Sequence, residues 1–158
     1  MKNVRKFLSL LLVLVTASLS LFACSTFEEK GDVTIVVENT DGSYEVYKVY
    51  LEDVENKTEG IAGVLEHLKD REKNPLTLDM TDGTYGKYIS KIGSISEDAQ
   101  NKKYIMVYTS LEKDFGTWEG VGVLEYEGIT LKSAGVGVSE MSVVSGTTIL
   151  FRLEASQW

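Results

Sequence analysis

Gly60-Ile61-Ala62-Gly63-Val64-Leu65-Glu66-His67-Leu68 carries the helical period on which the fold turns. Ile61, Val64, Leu65 and Leu68 stand at i, i+3, i+4 and i+7, one face of an amphipathic helix. Thr58 is placed to cap its start and Glu59 suits the first turn. Lys69, Arg71 and Lys73 suit its end, and Pro75 forbids continuation. Gly60 and Gly63 each lower helix propensity by ~1 kcal/mol relative to Ala. They either permit close packing or mark a late start. His67, between Leu65 and Leu68, points away from the apolar centre and is expected at the surface.

Upstream of the helix, Asp32-Val33-Thr34-Ile35-Val36-Val37-Glu38 is β-branched and reads as a strand. Asn39-Thr40-Asp41-Gly42 is turn chemistry, and the alternating run from Tyr44 closes a hairpin. Downstream, Leu76-Thr77-Leu78-Asp79-Met80 reads as a short strand, and Thr81-Asp82-Gly83-Thr84-Tyr85-Gly86 as a loop. Tyr88-Ile89-Ser90-Lys91-Ile92-Gly93-Ser94-Ile95 is another strand. Tyr104-Ile105-Met106-Val107-Tyr108-Thr109 is continuously apolar and is expected inside a sheet. Strands either side of Glu127-Gly128 form a small hairpin. Met141-Ser142-Val143-Val144 and a last strand from Thr147 to Leu153 follow.

One helix cannot cover two faces of a sheet. The economical architecture is α+β, a β-grasp-like mixed sheet wrapped around one principal helix over residues 32–154. No repeat or second domain is visible.

The N-terminus has a different composition. Lys2, Arg5 and Lys6 precede the apolar run Phe7-Leu8-Ser9-Leu10-Leu11-Leu12-Val13-Leu14-Val15, and small residues follow. That is the anatomy of a secretory signal. Leu21-Phe22-Ala23-Cys24 resembles the lipobox of bacterial lipoproteins, with Phe22 larger than the usual occupant. The resemblance implies a signal peptide over residues 1–23, lipidation of Cys24 and a polar tether over residues 24–31. It also implies an extracytoplasmic protein lipid-anchored to the membrane. Plain secretion and an uncleaved anchor are the alternatives; a span takes ~20 mostly apolar residues, and Ser and Thr dilute this run.

Composition narrows the function. Acidic residues outnumber basic ones 24 to 16, for a net charge of −8. Such a surface repels phosphate backbones, so nucleic acid is not an expected partner. Cys24 is the only cysteine and His67 the only histidine. Intrachain disulfides and cysteine metal sites are excluded, and any histidine-based triad must pass through His67. Carboxylate pairs such as Asp79/Asp82 and Glu52/Asp53 occur at the frequency expected by chance in so acidic a chain. Asp79-Met80-Thr81-Asp82-Gly83 lacks the alternating ligands of a calcium loop. We therefore expect a non-enzymatic protein with no metal site. The eight tyrosines are the conspicuous binding chemistry, since Tyr pairs a flat apolar face with a polar tip. Tyr85, Tyr88, Tyr104 and Tyr108 either line a groove with the loop aromatics Phe115 and Trp118 or are half-buried sheet residues.

Two stretches go beyond generic β patterning: Tyr85-Gly86-Lys87-Tyr88-Ile89-Ser90-Lys91-Ile92-Gly93-Ser94-Ile95, and Ser133-Ala134-Gly135-Val136-Gly137-Val138 with Ser145-Gly146-Thr147-Thr148-Ile149-Leu150-Phe151. Together with the helix they resemble the transcobalamin-like C-terminal domain family, often carried on Gram-positive surface lipoproteins. The resemblance implies the fold of transcobalamin's small domain and contacts to a ligand from the strand holding Tyr104, Ile105, Met106 and Val107. It implies capture of a small ligand, with cobalamin or another corrinoid as candidate, beside a membrane importer. Ile105 stands where that family usually has Trp, and Thr109-Ser110 where it has Asn-Gly. The resemblance does not extend to the large helical domain of the cobalamin carriers, which is not expected here. A surface protein–protein interaction module is the alternative function.

Overall fold

The computed structural model describes residues 25–84 and 86–155. The signal segment, Cys24 and Tyr85 lie outside the described residues. In chain order the elements are β1 (Asp32–Glu38), β2 (Tyr44–Tyr50), α1 (Gly60–Asp70), β3 (Leu78–Gly83), β4 (Gly86–Ile92), β5 (Ile95–Ser96), β6 (Lys103–Thr109), β7 (Val123–Tyr126), β8 (Ile129–Ser133) and β9 (Thr148–Ala155). This is an α+β domain with one principal helix.

The strands divide into two sheets. Six pair in the order β2-β1-β9-β6-β8-β7, and three in the order β3-β4-β5. The larger sheet is mixed: β1 and β9 run parallel, with Thr34 opposite Thr148 and Val37 opposite Phe151, and its other pairs are antiparallel. β6 lies inside the sheet, as its apolar run predicts, but β9 is the strand buried along its first half.

Geometry explains the second sheet. Six strands at ~4.8 Å spacing span about 24 Å. The 11-residue helix is only about 16 Å long and about 10 Å wide. α1 covers the inner face toward β2 and β3, while β4 and β5 cover it beside β6 and β9. The main core forms there. Ile61, Val64, Leu65 and Leu68 are fully buried, with Val33, Ile35, Ile92, Ile149 and Phe151. Each such side chain stabilises the fold by roughly 1.5–3 kcal/mol.

A smaller cluster occupies the outer face. Val36, Tyr108 and Leu150 of the sheet meet Leu131 and Tyr126 of the β7–β8 hairpin. That hairpin pairs with β6 only at Tyr108/Ser133 and Thr109/Lys132. Its remainder crosses the sheet, so that Tyr126 reaches Tyr44 on the opposite edge strand at 5.1 Å between ring centroids. Glu127 and Gly128 both take positive φ, the geometry of a tight two-residue hairpin turn.

Several local expectations are corrected. Thr58 is not the helix cap: its hydroxyl donates to Asn56 Oδ1 at 3.0 Å, and Glu59 holds the cap position without a side-chain hydrogen bond. Gly63 serves close packing, since a Cβ there would lie 2.0 Å from the Asn56 carbonyl oxygen. His67 is partly exposed, at the surface as expected. Thr81, Asp82 and Gly83 extend β3, and Gly86 opens β4, so that segment is a hairpin and not a loop. Gly93 and Ser94 divide the expected strand into β4 and β5. Residues 141–144 run as a loop on which Met141 and Val143 are core residues, and Val143 bridges Phe27. Residues 26–31, expected as a free tether, pack along that loop.

Candidate binding groove

Strand alternation sorts the predicted site residues. Tyr104, Met106 and Tyr108 of β6 face outward into one groove, whereas Ile105 and Val107 pack from the inner side against the main core. After β6 the chain makes a 3-10 turn (Glu112–Asp114) and returns through a loop whose Trp118 forms the facing wall. The groove encloses about 790 Å³ between them. Lys102, Glu119, Ser133 and Glu154 contribute its polar lining. Its volume falls within the usual ~300–1,000 Å³ of small-molecule sites.

The floor is preorganised. Tyr108 is buried, and its hydroxyl donates to Glu154 Oε1 at 2.7 Å. Arg152 Nε stands 3.2 Å from the same oxygen, and Arg152 Nη1 3.5 Å from Glu38 Oε2. Burial, and then the Glu154 hydrogen bond, push the Tyr108 phenol above its ordinary pKa, so it remains a neutral donor. Gly122 closes over this hydroxyl: a Cβ there would lie 2.5 Å from Tyr108 Oη and 2.7 Å from Ser133 Oγ.

The rim is aromatic and accessible. Tyr104 is 36% exposed and Trp118 49%. The indole rests against Gly116, where a Cβ would meet its ring carbons at 2.2 Å. Flat apolar walls around a hydroxyl and a carboxylate suit a planar or ring-bearing ligand, which stacks while polar groups orient it.

The remaining predicted residues lie elsewhere. Phe115 pairs with Ala134, and Lys132 Nζ sits 5.1 Å from its ring centroid. Tyr88 of β4 donates its hydroxyl to Glu97, which also accepts from the Ile105 amide at 3.3 Å. That hydrogen bond, and then desolvation, push the Tyr88 phenol up to about 12. Glu119, Gly122, Ser133 and Glu154 are groove residues that the sequence reading did not single out. Glu154 reaches the site because β9 places it opposite Tyr104, a register that no local pattern encodes. Among the described residues, no group of three or more His, Cys, Asp or Glu is arranged to hold a metal ion. No helix among them is long and apolar enough to cross a membrane.

The fold defines a small α+β domain whose likeness extends to solved binding proteins. A putative metal binding protein from Ruminococcus gnavus superposes with a TM-score of 0.52 at 14% sequence identity, covering 80% of this chain and 99% of that one. Haptocorrin, solved in complex with Cbi, superposes with a TM-score of 0.51 at 13% identity over 79% of this chain. The match corresponds to 25% of the haptocorrin chain. At these identities the likeness is one of fold. No protein family matches the chain by sequence, and no curated protein is a detectable relative.

Proposed function

We propose that this chain is a lipid-anchored, extracytoplasmic, non-catalytic domain that captures a small ligand beside a membrane importer. Capture takes place in the groove between β6 and the Trp118 loop. The observation that carries this reading is the convergence of Tyr104, Met106, Tyr108 and Trp118 on a cavity of about 790 Å³ with a hydrogen-bonded polar floor. A corrinoid is the candidate ligand; the shared fold with haptocorrin, solved with Cbi, supports testing it first. The anchor reading rests on the lipobox-like Leu21-Phe22-Ala23-Cys24. Titration with cobalamin and cobinamide, followed by corrin absorbance and tryptophan fluorescence, tests the ligand. Saturable quenching that Trp118→Ala weakens supports it; no change up to high micromolar concentration rejects the corrinoid.

A second reading has its own observation. Among the described residues β2 is an edge strand of the large sheet, and Tyr44, Val46 and Tyr50 on it are about half exposed. Such an edge suits strand addition by a surface protein. Capture of a partner that survives Trp118→Ala and Phe115→Ala but is lost on Val46→Lys would favour this function.

A further inference from the structure

The chain segment that follows Cys24 is built into the body of the domain. Val143 N donates to Thr26 O at 2.7 Å, and Glu28 N donates to Val143 O at 2.8 Å. Phe27 and Val143 thereby form a parallel bridge. This bridge continues the parallel β1/β9 pairing beyond the N-terminal ends of the two strands, because residues 26–31 lead into β1 and residues 143–147 into β9. The link between them is also paired: Gly146 N donates to Asp32 O at 2.7 Å.

Side chains fasten the segment along its length. Thr26 N donates to Ser142 Oγ at 3.1 Å, and Lys113 Nζ to Thr26 Oγ1 at 2.9 Å. Ser142 is itself held by its amide, which donates to the buried Asp114 carboxylate at 2.8 Å. Ser145 N donates to Glu28 Oε2 at 2.7 Å, and Lys57 pairs with Glu29 at 2.5 Å. Phe27 packs against the main core, with Lys57 Nζ 5.9 Å from its ring centroid. A free spacer has no reason to carry this set of long-range contacts.

Only Ser25 separates Cys24 from the first docked residue. One residue spans at most ~3.6 Å. We infer that, on the lipid-anchor reading above, the domain does not swing on a tether. It is held in one orientation, with the end carrying Thr26, Lys113 and Ser142 against the lipid headgroups. The β1–β2 loop at residues 39–43 lies at the far end of β1 and points away from the bilayer. The groove follows β6 between these ends. Its Tyr108 and Gly122 end lies toward the membrane and its Lys102 and Tyr104 end away from it. The surface that meets the headgroups is therefore specified by the fold, and an importer in the same membrane would meet the ligand from one side only.

Two measurements test this on the full chain purified from membranes. Amide hydrogen exchange in detergent should show the Glu28 and Val143 amides slowed at least about a hundredfold relative to an exposed loop amide such as Thr40. Free exchange at both would overturn the docked segment. For orientation, single cysteines at Glu112→Cys and Thr40→Cys are labelled with a donor, and the protein is reconstituted in vesicles carrying a headgroup acceptor. Lipidation of Cys24 leaves the introduced thiol as the only reactive one. Energy transfer should be several-fold greater from position 112 than from position 40; equal transfer would overturn the fixed orientation even with the lipid present. Mass spectrometry of the N-terminal peptide separates the premises. Absence of fatty acid on Cys24 would overturn anchoring and orientation together, while the exchange data decide the docked segment independently.

Discussion

The rings of Tyr44 and Tyr126 meet edge to face, 5.1 Å apart and at 70°, although their strands are opposite edges of the six-stranded sheet. The contact exists because the β7–β8 hairpin leaves its neighbour after two residue pairs and folds over the outer face. It brings Leu131 and Tyr126 onto Val36 and Leu150, and it leaves the other half of that face open as the groove.

Tyr126→Ala should therefore cost more than Tyr44→Ala. Tyr126 is nearly buried, and its truncation should lower stability by about 3 kcal/mol. Tyr44 is 47% exposed and should cost about 1 kcal/mol. A double-mutant cycle by urea denaturation should give a coupling of ~0.5–1.5 kcal/mol. Additive losses would mean that the rings do not hold the hairpin down.

Trp118→Ala should separate binding from folding. The side chain is half exposed and rests on Gly116, so stability should stay within about 1 kcal/mol of the parent. Ligand affinity should fall at least about tenfold, or ~1.4 kcal/mol. Gly122→Ala should also impair binding, by pushing the Tyr108 hydroxyl from its place on the groove floor. Unchanged calorimetric titrations for both variants would remove the groove as the site.

Asp114 gives stability a pH dependence of definite sign. Burial raises its pKa against the opposing hydrogen bond from the Ser142 amide. The folded state thus holds the proton more tightly than the unfolded chain, and this group's contribution falls as pH rises from the ordinary aspartate range through the raised value. Asp114→Asn keeps an acceptor without the charge. It should be equal to or more stable than the parent at neutral pH, with any advantage vanishing in acid. Asp114→Ala strands the Ser142 amide and should cost about 1–3 kcal/mol. Denaturation midpoints across pH 3–8 would show both.

Two phenols should lag in an alkaline titration. Tyr47, mainly through burial, and Tyr88, mainly through its hydrogen bond to Glu97, are each raised from 10.0 to about 12. The unfolded chain loses these protons first, so the stabilisation is complete below pH 10 and is lost as pH rises toward 12. Glu97→Gln should return Tyr88 toward its ordinary value and leave Tyr47 late. Proton-resolved titration of the two rings would distinguish them, and an unmoved Tyr88 would refute the assignment.

Local chemistry was enough to read the helix, the Asp41-Gly42 and Glu127-Gly128 hairpins and the first and last strands, but not the β3–β4 hairpin, whose turn reads as a loop. The Ile61/Val64/Leu65/Leu68 period, the Asp41-Gly42 and Glu127-Gly128 turns and the β-branched run at Val33 each act over a few residues. The single helix in a strand-rich chain was likewise sufficient for the α+β class. Tertiary structure alone decided which strands are neighbours. Parallel pairing of β1 with β9 joins the two ends of the domain, and the side chains of Thr34 and Thr148 carry no label of that register. The same holds for Glu154 beside Tyr104, for the separation of Tyr104 and Met106 from Ile105 and Val107, and for Val143 beneath Phe27. Periodicity specifies which face a residue presents; what covers that face depends on how much area one short helix leaves bare, a property of the packed whole.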